Sequence, residues 1–145
     1  MKFFKTILLI ILTTSFSYSQ DLIDLSNAFK ADFNVDSITL GVDSNIVNCS
    51  GVAIGYDNGD YSAVYLTYHF TNQLETDDSG EFTGLVWGQQ GENFLKGTLQ
   101  GVWRRNGQIF ELMTLDNIND GNVIFAVGKL NMATRTLKFD AGVVN

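Results

Sequence analysis

Between residues 61 and 71 apolar and polar side chains alternate: Val64, Leu66, Tyr68 and Phe70 fall on one side, Tyr65, Thr67 and His69 on the other. A β-strand with one buried face requires this period of two, because successive side chains point to opposite faces. The same rhythm returns at residues 81–88, 94–105, 108–116, 123–130 and 136–144, with 45–56 as a further strand and 37–42 as a short one. Turn-formers separate them: Asp57-Asn58-Gly59-Asp60, the polar run 72–80, the loop around Gly91, Asn106-Gly107 and residues 117–122. Asn-Gly supplies the positive φ angles of a tight hairpin turn. Proline, which would remove ladder donors, is absent from the chain. The pattern predicts an all-β domain, an antiparallel meander of seven or eight strands closing into a barrel. A two-sheet β-sandwich is the alternative, and closure has the advantage of leaving no unpaired edge.

Hairpin geometry then predicts faces. A two-residue turn at Asn106-Gly107 sets Trp103 opposite Phe110 and Gly101 opposite Leu112, and pairing Val86 with Leu95 extends the same face through Phe82, Gly84 and Val86. Leu95, Leu99, Trp103, Phe110 and Leu112 become one core face, and Gly84, Gly97 and Gly101 land on it, where missing side chains admit large neighbours. Trp87 goes to the opposite face beside Leu85 and Phe94, and pairing Phe70 with Phe82 brings Tyr65 next to it. A second apolar patch therefore lies on the face that alternation makes the outer one, where a helix, a second subunit or a ligand would cover it.

Ahead of the strands, Leu22, Leu25, Phe29 and Phe33 recur at spacings of three and four. This predicts a short N-terminal helix within residues 20–34, helical or irregular, packed on the barrel. Residues 1–19 read as a secretory signal peptide: Lys2 and Lys5, then an apolar run at 7–12, then a small polar stretch at 13–19. The apolar run is too short to span a bilayer. The expected mature chain, residues 20–145, suits one domain with its own core, exported to a periplasm or beyond the cell.

Charge narrows the partners. Without Lys2 and Lys5, seven basic residues remain against sixteen acidic ones, a net charge of −9. That balance disfavours nucleic acid and an anionic membrane, both of which need clustered Lys and Arg. Most acids, Asp57, Asp60, Asp77, Asp78, Asp116 and Asp120 among them, are assigned to turns and loops as solubilising charges. Cys49, the single cysteine, lies in an apolar stretch and reads as a buried, inert thiol.

No catalytic set, metal site or cofactor motif emerges. His69 is the single histidine, so triads and multi-histidine metal sites are excluded by count. Glu111 and Asp116 sit five positions apart on an extended strand, roughly 16 Å, and point to opposite faces, beyond the spacing of a glycosidase pair. Residues 116–122 resemble a calcium loop only loosely, because Ile118 stands where an oxygen ligand belongs. Gly101-Val102-Trp103 with Gly107 resembles the Gly-x-Trp signature of avidin-like and lipocalin-like barrels; here it falls mid-chain, a likeness of strand and turn chemistry that carries no ligand residue over. The candidate binding residues are Tyr65, Trp87, Phe94 and His69, whose rings suit a sugar, an apolar ligand or a protein surface. The chain thus reads as a secreted, non-enzymatic binding protein for a small apolar or saccharide ligand or a protein partner. Alternatives are a self-associating structural subunit, a homo-oligomer, and a small barrel enzyme of isomerase or cyclase type.

Overall fold

Alternating burial organises eight strands: β1 (Leu25–Thr39), β2 (Asn45–Tyr56), β3 (Gly59–Thr71), β4 (Ser79–Gln90), β5 (Asn93–Asn106), β6 (Ile109–Ile118), β7 (Val123–Asn131) and β8 (Thr136–Val144). The computed structural model describes residues 25–56 and 59–145. Each strand pairs antiparallel with the next, and β1 pairs with β8, so the sheet closes into an eight-stranded meander barrel. No helix occurs among the described residues. Residues 1–24, with the expected signal peptide and the start of the expected helix, lie outside them.

Residues 25–33 belong to β1, a correction to the helical reading of that stretch. Phe29 and Phe33 are spaced by four, an even number, and so share a strand face as readily as a helix face, whereas Leu25, beyond a register shift, is exposed. Continuing from Phe29, Ala31, Phe33 and Val35 face the interior, with Lys30, Asp32 and Asn34 exposed between them. β1 carries register shifts between Ser26 and Phe29 and between Val35 and Ser37, and β2 shifts twice more against β3. Such bulges bend and twist a strand, which helps a sheet curl into closure.

The expected register of β3 against β4 is found: Phe70 faces Phe82 and Tyr65 faces Trp87. Two hairpins are set two residues away from expectation. Val86 faces Gly97 while Leu95 faces Gly88, and Trp103 faces Leu112 while Phe110 faces Arg105. The β5–β6 turn is Gly107-Gln108, with Gly107 at φ 63°. A shift of two keeps every side chain on its face, so the predicted core face survives.

One end of the barrel, where β1 begins and β8 finishes, is called the upper end. The middle is filled by aromatic side chains, and Phe70 and Trp103 carry them to the lower end, where they line a hollow beside residues 42–45 and 71–75. Tyr68 lies 5.3 Å from Phe82 between ring centroids and 5.5 Å from Phe70, and Trp103 lies 5.7 Å from Phe110. Trp103 is only half-buried, and its indole N–H donates to the Thr71 carbonyl at 3.0 Å. Glycine makes room for two of the rings. A Cβ on Gly80 would stand 2.6 Å from the Trp103 indole, and one on Gly128 would stand 2.3 Å from the Phe139 ring.

Candidate functional site

The upper half of the barrel is not filled. Between the Tyr68 and Phe82 rings and the upper mouth lies a cavity of about 110 Å³, walled by Phe33, Leu66, Val86, Leu99, Ile124, Ala126 and Phe139 among others. Eight strands enclose a space that side chains can just fill, or that can hold one small ligand. Small residues on the inward positions, Ala31, Ala53, Gly88, Ala126 and Ala141, open the space here. Apolar cavities of about 150 Å³ stay dry and take up a molecule the size of benzene.

Two inward residues of β6 break the apolar lining, Thr114 and Asp116. Both are buried, Asp116 with 8% of its surface exposed. The Thr114 hydroxyl is hydrogen-bonded to Asp116 Oδ1 and also lies 3.2 Å from the carbonyl oxygen of Gln100. Burial penalises the ionised carboxylate and pushes Asp116 up to about 7, although Thr114 and the Gln100 backbone pull it part of the way back. Tyr68, packed below, is raised well above the usual tyrosine value, first by burial and then by the negative charge of Asp116. Around the carboxyl the β5–β6 pairing is interrupted. Thr98 faces Asn117 and Gly101 faces Thr114 in one register, but Leu99 and Gln100 form no ladder pairs with Asp116 and Leu115. Side-chain bonds replace them, the Gln100 amide donating to the Leu115 carbonyl oxygen and the Thr114 hydroxyl approaching Gln100 from the other strand.

The mouth is strapped by Tyr56. It stands at the end of β2, and its hydroxyl donates to Asp120 Oδ2 at 2.5 Å and accepts from Asn122 at 3.0 Å. Asp120 and Asn122 belong to the β6–β7 loop, four strands away around the barrel, so the ring reaches from one wall towards the opposite one. Phe29 and Tyr61 flank it at centroid distances of 5.1 and 5.9 Å.

The residues singled out from sequence lie elsewhere. Tyr65, Trp87, Phe94 and His69 are all exposed on the outer surface, Tyr65 and Trp87 each by 58%. The structure brings three of them together: Trp87 stacks edge-on against Phe94 with centroids 5.8 Å apart and pairs across strands with Tyr65. His69 faces Thr83, further along β3. Exposed Leu85 belongs to the same patch. None of the four lines the cavity.

No protein-family model, curated protein or solved structure compared with the chain matches it.

Asp116 is the residue that sequence reasoning missed, having assigned it to a loop as a solubilising charge. The signal was available in the alternation itself: Phe110, Leu112, Thr114, Asp116 and Ile118 are separated by twos, and the first two were already placed inside. Cys49 is free and buried, as expected, and burial followed by the charge of Asp36 pushes its thiol up to about 12.

Proposed function

We propose that the protein is an exported, non-enzymatic binding protein that holds a small apolar ligand in the upper half of its barrel. The observation that carries this reading is the cavity of about 110 Å³ with an almost wholly apolar wall. A saccharide suits that wall poorly, because each buried sugar hydroxyl would need a partner and the lining offers only tyrosines, Thr114 and Asp116. Membrane barrels carry an apolar band outside and a polar lumen. This barrel has phenylalanine and leucine within, and its outside mixes charges such as the Lys30–Asp140 pair with exposed apolar residues such as Leu85, Trp87 and Leu115; the apolar interior favours a water-soluble mature form. The test is titration with benzene or ethylbenzene, followed by NMR shifts of cavity methyl groups. Saturable shifts are expected in the wild type and their loss in Ala126→Phe, which fills the space. Absence of saturation, or binding unaltered by filling, would overturn the reading.

A second reading, a barrel enzyme of isomerase or cyclase type, is favoured by Asp116 alone. A carboxyl that titrates near neutrality in an apolar site has the properties of a general acid or base. The outer patch of Tyr65, Trp87 and Phe94, with His69 beyond it, is the proposed surface for a protein partner or a second copy of the chain.

A further inference from the structure

Resting on the cavity reading above, we propose that the ligand is an uncharged apolar molecule carrying one hydrogen-bond donor, a hydroxyl held by the Asp116 carboxyl. Three observations lead there. The cavity is apolar except around one point, and Asp116 is the strongest acceptor in its wall. An apolar ligand of about benzene size therefore finds a single place where a polar group can be satisfied, and any second polar group would be buried without a partner.

The second observation is a proton count. The Thr114 oxygen lies within hydrogen-bonding distance of two acceptors, the Gln100 carbonyl and Asp116 Oδ1. A hydroxyl has one proton to donate. With Asp116 ionised, the single Thr114 proton is shared between the two acceptors; each contact is a full hydrogen bond of its own when Asp116 Oδ1 carries a proton and donates it to Thr114, which donates in turn to Gln100. A neutral carboxyl so engaged keeps acceptor capacity on its second oxygen, which is what a ligand hydroxyl requires.

The third is charge. Among the described residues that line the cavity none is Lys, Arg or His; the titratable groups around Asp116 are Tyr68 and Tyr61 on β3 and Tyr56 on β2, the last bonded to Asp120 at the mouth. Nothing compensates a ligand carboxylate, which would place two acids against each other. An ammonium ligand would have to leave water for a dry wall with one counter-charge, and desolvation opposes that. The value of about 7 for Asp116 agrees with the proton count: below neutrality the carboxyl is uncharged.

Four probes of similar size separate the possibilities: benzyl alcohol, ethylbenzene, benzylammonium and benzoate, each titrated by calorimetry at pH 6 into the wild type and into Asp116→Leu. Benzyl alcohol is expected to bind the wild type roughly three- to tenfold more tightly than ethylbenzene, the range of one net hydrogen bond, and the two charged probes more weakly than either. In Asp116→Leu the preference should disappear or reverse, with ethylbenzene still bound; Asp116→Val, which likewise has no acceptor, serves as a second variant should the leucine not fold. Failure of all four probes to bind would overturn the cavity reading and this inference with it. Ethylbenzene binding as well as benzyl alcohol, or a preference untouched by Asp116→Leu, would leave the cavity standing and refute the role of Asp116. Benzylammonium binding best would replace the uncharged class by a cation.

Discussion

Replacing Asp116 by asparagine keeps the shape of the side chain and removes its ability to ionise, and the effect on stability should depend on pH in one direction only. In the folded protein the carboxyl titrates at about 7 instead of 3.8. The native state then binds a proton that the unfolded chain has released, so stability falls as pH rises between those two values. Stability contributed by the neutral form is complete below about pH 4 and lost once pH exceeds the folded value. At about 1.4 kcal/mol per pH unit, the difference amounts to roughly 4 kcal/mol above pH 8. Such a cost is a large part of the 5–15 kcal/mol that stabilises an ordinary domain. The assay is urea unfolding of wild type and Asp116→Asn at half-unit steps from pH 4 to pH 8.5. Other titrating groups are shared by both proteins and cancel in the difference. The expected difference is flat near pH 4, rises through pH 5–7 in favour of asparagine, and levels off above pH 8. A difference independent of pH would refute the idea that burial holds this carboxyl neutral.

The remaining predictions concern packing and the outer surface. Gly128→Ala places a methyl 2.3 Å from the Phe139 ring; overpacking of this kind costs about 1–3 kcal/mol, to be read as a lower midpoint of thermal unfolding, and a stability equal to wild type would mean that the ring moves freely. Trp87→Ser removes a side chain that is 58% exposed, so the fold should lose no more than about 0.5 kcal/mol. If the outer patch joins copies of the chain, light scattering should show the wild type as an oligomer at micromolar concentration and Trp87→Ser as a monomer; a monomeric wild type would sink that use of the patch.

Much of the architecture was legible because alternation encodes faces directly. Phe70 opposite Phe82 and Tyr65 beside Trp87 follow from it without further information, and both are found. The registers of the β4–β5 and β5–β6 hairpins were not fixed by the same pattern, since a turn placed at Asn106-Gly107 or at Gly107-Gln108 keeps the same side chains inside. β1 was misread because a spacing of four satisfies both a helix and a strand. The candidate cavity was the least legible part. It exists because Ala31, Ala53, Gly88, Ala126 and Ala141 converge from five strands, a coincidence visible only after closure. Trp87 drew attention by its size, whereas Asp116, an ordinary acid by composition, acquires its chemistry from surroundings contributed by distant strands.

The interrupted pairing between β5 and β6 makes that wall a natural place to listen to the molecule. At Gln100 the carbonyl and the N–H both answer to groups around Asp116. A single amide resonance therefore registers proton loss from the carboxyl and, with a ligand in the cavity, occupancy as well. The barrel carries its own spectroscopic indicator in a position that needs no attached dye.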